Sequence, residues 1–386
     1  MVEQDIYSLV EKYMRNRISP DELIVLDKLL EKDKNVKIFK SLIQNNYQLR
    51  TKNISFDSGE QLKRAEARIK NLESDKRIQR KHFYRYAIAA SVIIVVALTI
   101  YLNGENKESQ FVEPVIVNTD IQPGTDRAIL TLEDGSHIAL EKGKTFQKQN
   151  VSSNGKELIY KANPGKEEKI AHNLLTVPRG GQYHIVLADG TEVWLNSESK
   201  LKFPTTFKEG QDRIVELING EAYFDVSPSD SHNGSKFRVV NTSQEVEVLG
   251  TEFNIKAYND ESIIYTTLLE GKVRVTNSDV MRNLIPDQQS ILNIETKDVK
   301  IVTVDAASET SWRRGVFSFK GKPLKDVMKV ISRWYDVDVV FTNKKLESLK
   351  FNGSLNKDRS IERILSLMLS TNIESYEIKG KTIILR

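Results

Sequence analysis

Apolar residues recur along this chain with more than one period, and each period marks a different architecture. Ile6, Leu9, Val10 and Tyr13 stand at i, i+3, i+4 and i+7, which makes one stripe on a first helix. Ser19, Pro20 and Glu22 have the spacing of a capping box with proline at the first helical position, and Leu23, Leu26 and Leu30 form the next apolar face. Phe39, Leu42, Ile43 and Tyr47 predict a third helix; after the breaker run Asp57-Ser58-Gly59 a longer charged helix carries Leu62, Ile69 and Leu72. Residues 1–82 thus read as a small all-α domain. Helices this short bury little surface, so such a domain gains stability by wrapping a partner.

From Ala87 to Leu102 the chain runs AIAASVIIVVALTIYL, with no charge, Pro or Gly. Adding Phe83 to Tyr86 gives about 20 residues, enough to span a bilayer core. Arg85, near one end, can snorkel to the interface, and Tyr84, Tyr86 and Tyr101 fit an aromatic belt. The pattern predicts a single transmembrane helix over 83–102. A buried core helix rarely lacks polar residues for so long. A cleaved signal sits within about the first 30 residues, whereas this segment follows a long polar stretch. Arg77, Arg80, Lys81 and Arg85 precede it, and Asn103-Gly104-Glu105 follows, so the positive-inside rule puts the N-terminus in the cytoplasm.

Beyond the span the period falls to two. Residues 111–305 alternate in strand fashion, with turn signals at Asp134-Gly135, Asp189-Gly190, Asn219-Gly220 and Glu270-Gly271. Pro123, Leu132, Asp134, Gly135 and Leu140 match Pro178, Leu187, Asp189, Gly190 and Leu195 at one constant offset. The repeated unit is a hairpin around an Asp-Gly turn, and stacking such hairpins predicts an all-β sandwich or roll. Residues 103–175 form a linker and first β-repeat, and 176–305 the main β domain. Over 312–386 strands and helices alternate. Leu324, Val327, Met328 and Ile331 match Ile361, Ile364, Leu365 and Met368, which predicts a duplicated α+β βαβ module with one small sheet under two helices.

The composition is that of folded protein, and 386 residues imply several domains. Zero cysteines exclude disulfides, thiolate nucleophiles and Cys-ligated metal. The net charge of +4 hides a contrast: residues 1–86 hold 19 Lys and Arg against 13 Asp and Glu, and the remainder 38 against 40. Signs alternate along Lys28, Glu31, Lys32, Asp33 and Lys34, the pattern of a solvated face and not of a direct nucleic-acid interface. The 5 histidines include no HExxH and no i,i+4 pair, so no metal site and no cofactor is expected. Gly180-Gly181 lacks the strand-turn-helix context of a phosphate cradle. Glu216 and Glu221, an odd number of residues apart, are expected on opposite faces of one strand, which speaks against a glycosidase pair. No GxSxG elbow is present. At Gly250-Thr251 the Thr hydroxyl can attack the Gly carbonyl if strain brings them together; the plainer reading is a glycine at a bulge.

Long ordered motifs resemble the FecR family of membrane-spanning anti-sigma factors. They are Pro178-Arg179-Gly180-Gly181, Val186 to Asn196 (VLADGTEVWLN), Arg213 to Val226 (RIVELINGEAYFDV), Val246 to Tyr258 (VEVLGTEFNIKAY) and Thr267 to Val275 (TLLEGKVRV). Trp312-Arg313-Arg314-Gly315, Phe317-Ser318-Phe319 and Phe351 to Leu355 resemble the C-terminal domain of the branch associated with nutrient and glycan uptake, similar to the short βαβ modules of secretins and TonB-dependent receptors. The resemblance implies an inner-membrane protein, N-terminus cytoplasmic and C-terminus periplasmic. Its helices would hold an extracytoplasmic-function sigma factor, here through Ile6, Leu9, Val10, Tyr13, Leu23, Leu26 and Leu30. Its periplasmic part would sense a substrate-loaded TonB-dependent outer-membrane transporter, and regulatory proteases would release the cytoplasmic piece. It implies no enzyme beyond self-cleavage at Gly250-Thr251, seen in some members. The alternative is a membrane-tethered periplasmic glycan-binding or scaffold protein.

Overall fold

A computed structural model describes residues 6–14, 18–30, 32, 34–36, 38–39, 41–42, 115–117, 121–148, 151–161, 170–278, 280–368 and 375–386. The expected span at 83–102, the charged helix bearing Leu62, Ile69 and Leu72, and Ile43 and Tyr47 of the third helix lie outside them. Among the described residues no helix is long and apolar enough to cross a membrane.

Helix α1 (Ile6–Met14) and helix α2 (Pro20–Leu29) form where the stripes predict them. Ser19 Oγ accepts from Glu22 N, and Glu22 Oε2 accepts from Ser19 N, which completes the capping box. Residues 34–36, 38–39 and 41–42 are helical too, and Phe39 is buried against Tyr13.

Eighteen strands make one hydrogen-bonded network, folded as two sheets face to face. One sheet runs His137–Glu141, Thr125–Thr131, His172–Val177, Ser199–Pro204, the first half of Arg213–Asp225, Phe237–Val240, Glu245–Val248, Val273–Asn277 and Val280–Leu284. The other runs Phe146–Lys148, Val151–Ser153, Glu157–Tyr160, Gly181–Val186, Glu192–Leu195, the second half of Arg213–Asp225, Glu252–Ala257, Ile263–Glu270, Gln288–Asn293 and Val299–Thr303. One apolar core, from Ala128 to Leu292, fills the space between them. The repeated hairpins are alike in detail. Leu132 N bonds Ser136 O and Leu187 N bonds Thr191 O, while Asp134 and Asp189 each accept from the amide two residues on.

Asn219-Gly220 is not a turn. It lies inside Arg213–Asp225, where the strand leaves one sheet for the other. Gly220 has φ +104°, and a Cβ there would stand 2.2 Å from Ser199 Oγ, so the kink needs glycine. The kink also resets the alternation. Val215 and Leu217 face the core before it, and Ala222 and Phe224 after it. Glu216 and Glu221 therefore both point away from the core, contrary to the parity argument, but from different sheets.

The C-terminal module follows the expected order: Val316–Pro323, helix α3 (Leu324–Tyr335), Asp338–Phe341, Lys350–Asn356, helix α4 (Ile361–Met368), Tyr376–Lys379 and Thr382–Leu385. Its strands form two sheets instead of one. The leading strands of the two repeats pair antiparallel with each other; the later strands form a second sheet, whose edge is extended by Val115–Val117 lying parallel to Tyr376–Lys379.

Candidate functional site

Strand Arg213–Asp225 fixes the site, because beyond its kink the residues that face away from the core are aromatic or polar yet buried. Trp194, Tyr223, Asn254, Thr267 and Gln289 are direct cross-strand neighbours and make one row across five strands. Glu221 is buried beside that row, where Asn196 Nδ2 (2.9 Å) and Asn254 Nδ2 (3.0 Å) both donate to its carboxylate. Burial raises the Glu221 pKa, and Lys256 and the two amides only partly offset it. The C-terminal module covers this face: Trp312 Nε1 donates to Asn254 Oδ1 (3.3 Å), and the Arg313 guanidinium stacks between Trp194 (4.7 Å) and Tyr223 (4.2 Å).

Two arginines lock the junction. Arg179, in the Pro178-Arg179-Gly180-Gly181 motif, donates to the carbonyls of Ser332 (3.1 Å) and Val337 (2.5 Å), and Gly180 N donates to Arg333 O (2.7 Å). Arg333, from α3, lies 3.6 Å over the Tyr258 ring and pairs with Asp260 (2.5 Å), Glu261 (2.7 Å) and Glu198 (3.3 Å) of the sandwich. Burial works against the Arg333 charge, but Tyr258, Glu261 and Asp260 outweigh it and hold its pKa above the ordinary range. Arg333 is buried and Glu261 largely so, while Asp260 and Glu198 reach solvent, so the cluster fixes geometry more than it adds net stability. Lys357 completes the junction, its Nζ donating to Gln182 Oε1 (2.7 Å) and lying 3.7 Å from the Trp334 ring centroid.

A cavity of about 370 Å³ opens between the two modules, with Glu221, Asn254, Thr267 and Gln289 on the sandwich side and Trp312, Phe317 and Phe319 on the other. Among the described residues no cluster of three metal-ligating side chains occurs.

The residues singled out from sequence fall into two separate places. Leu9, Val10, Tyr13, Leu23, Leu26 and Leu30, with Ile6 at the margin, form one apolar cluster that packs on Val316 and Leu367 of the C-terminal module. An Arg363 side chain bonds the Leu30 carbonyl, and burial raises the Tyr13 pKa. Gly250-Thr251 lies in the sandwich between Glu245–Val248 and Glu252–Ala257. Gly250 has φ +155°, and Thr251 Oγ1 donates to Lys272 O (3.1 Å). Sequence reasoning weighed Glu221 only as half of a glycosidase pair and passed over Arg333 and Lys357. Their signal was weak but present: Glu221 alternates with core residues inside a recognised motif.

Comparison with known proteins matches residues 173–274 to the FecR protein family and residues 316–385 to FecR, C-terminal. Over these two segments the chain matches the FecR family. The first match covers the central part of the sandwich and the second nearly all of the C-terminal module, so Arg179 and Arg333 of the junction lie one in each. Two crystal structures of a candidate anti-sigma factor from Parabacteroides distasonis ATCC 8503 are similar, each with 29% identity and a TM-score of 0.51, over 55% of this chain and 98% of that one. Among curated proteins no match was found.

Proposed function

We propose that the chain is a single-span inner-membrane anti-sigma factor, with residues 1–82 cytoplasmic, 83–102 in the bilayer and the FecR modules periplasmic. The observation that carries this reading is the pair of FecR modules, together with the likeness to a candidate anti-sigma factor along 98% of its length. The cytoplasmic helices cover the polymerase-binding surface of an extracytoplasmic-function sigma factor. A substrate-loaded TonB-dependent transporter engages the C-terminal module by strand pairing. Val115–Val117 already occupies the Tyr376–Lys379 edge, which leaves Asp338–Phe341 as the other edge of that sheet. Proteolysis near the membrane then frees the sigma factor, because a single helix transmits rigid-body change poorly.

This topology and the packing of α1 and α2 on the C-terminal module are mutually exclusive, since a bilayer would lie between them. In the membrane-spanning chain the stripe loses its cover, and the sigma factor supplies a new one. Leu26, almost fully buried within the stripe, is the residue to test. Leu26→Asp should release the sigma factor from the captured full-length chain and give constitutive target transcription, while Leu26→Met retains repression. Unchanged repression in Leu26→Asp would reject the surface.

Self-cleavage at Gly250-Thr251 belongs to the same proposal. Thr251 Oγ attacks the Gly250 carbonyl, the C–N bond breaks to an ester and a free Thr251 amine, and water hydrolyses the ester to the Gly250 carboxylate and restores the hydroxyl. The close approach of Gly271, where a Cβ would stand 2.8 Å from both Gly250 O and Thr251 Oγ1, supports a tightly held bond. Two fragments should appear in purified wild-type protein and none in Thr251→Ala; an intact wild-type chain would dismiss the reaction.

A further inference from the structure

The cavity at the junction combines features that a mere packing gap does not. Its sandwich side is polar although nearly dry: Asn254, Thr267 and Gln289 are each less than 5% exposed. Gln289 Nε2 donates to Thr267 Oγ1 (2.7 Å), which leaves Gln289 Oε1 with no partner among the described residues. Gln289 lines the cavity, so this oxygen is placed to accept a hydrogen bond from an occupant. Opposite stand the aromatic residues Trp312, Phe317 and Phe319. At the rim Lys256 pairs with Glu261 (2.8 Å), Lys322 with Glu309 (3.2 Å) and Lys329 with Asp260 (3.5 Å), and Lys325 and Asp326 add one charge of each sign, so the rim is balanced and favours neither a cation nor an anion.

We propose that this cavity binds a neutral saccharide of one or two rings. Planar amides and a carboxylate on one side suit the vicinal hydroxyls of a pyranose, which both donate and accept. Aromatic side chains on the other side suit its apolar C–H face. The volume lies within the range of small-molecule sites, about 300–1,000 Å³. Because the floor belongs to the sandwich and the aromatic wall to the C-terminal module, an occupied cavity ties the modules together. The site stands apart from the anti-sigma reading and needs only the junction.

The test titrates the full-length chain in mild detergent with glucose, galactose, mannose, N-acetylglucosamine and their β-linked dimers, followed by calorimetry and by tryptophan emission. At least one of these should bind saturably with a Kd of about 1 mM or tighter. Glu221→Gln and Gln289→Ala, each shown by circular dichroism and melting to stay folded, should weaken it at least about tenfold. The corresponding uronic acid should bind more weakly than its neutral parent. No saturable binding up to about 50 mM, affinity indifferent to both variants, or preference for the acid would each overturn the proposal.

Discussion

At the scale of single residues, Lys357 is the least comfortable group at the junction and gives the sharpest prediction. Burial drives its pKa down to about 7, although Glu221, Asp126 and Asp358 favour its charge. An unfolded lysine titrates near 10.5, so between about 7 and 10.5 the unfolded chain holds a proton that the folded chain has shed. Stability contributed through this residue therefore rises with pH across that window; below about 7 both states are charged and the full burial penalty remains. Lys357→Met removes the penalty and keeps an unbranched apolar stem among Trp312, Phe317 and Trp334. The variant's melting temperature should exceed the parent's most below pH 7, and the gap should narrow as pH climbs through the window. Melting curves of both proteins across that range decide it, and a gap independent of pH would mean that burial does not move the Lys357 pKa from its unfolded value. Tyr223 and Tyr335, whose pKa values burial also raises from an ordinary 10.0, touch only the top of the window and, being common to both proteins, cancel from the gap.

At the scale of elements, patterning was legible wherever one face of an element meets water. The two helix stripes, the Asp-Gly hairpins and the strand–helix order after Val316 all formed where the apolar spacing put them. Asn219-Gly220 misled because the same dipeptide that makes a tight turn also permits a kink, and only the two different partner strands on either side tell them apart. Half of the junction was illegible for a related reason. Alternation shows which residues face the sandwich core, but it cannot show that a second module covers the opposite face. Glu221 and Tyr223 thus read as solvent-facing positions, although both are buried. Arg333 reads as an ordinary polar position on α3 until its three carboxylate partners arrive from Glu198, Asp260 and Glu261, at sequence separations of 72 to 135 residues. The split of the C-terminal strands into two sheets was hidden likewise, since period-two spacing does not choose partners.

At the scale of the whole molecule, the apolar segment at 83–102 and the packing of α1 and α2 make opposite demands. The segment asks for a bilayer between the N-terminal helices and the FecR modules; the packing asks for contact between them. The stripe reconciles the two if it is a surface that must be covered, by Val316 and Leu367 when nothing else is present and by a sigma factor in the cell. Burying six such side chains is worth about 1.5–3 kcal/mol apiece, enough to favour whatever cover is within reach. The cysteine-free chain makes this directly testable. Tyr7 is 52% exposed on α1, and Val340 is 48% exposed on the C-terminal module, so a single cysteine at either position should be reachable without disturbing a core. In spheroplasts, a membrane-impermeant maleimide should label Val340→Cys at once and Tyr7→Cys only after lysis. Labelling of both before lysis would put α1 on the same side as the FecR modules, leave their mutual packing intact, and remove the membrane crossing that the proposed release of a sigma factor requires.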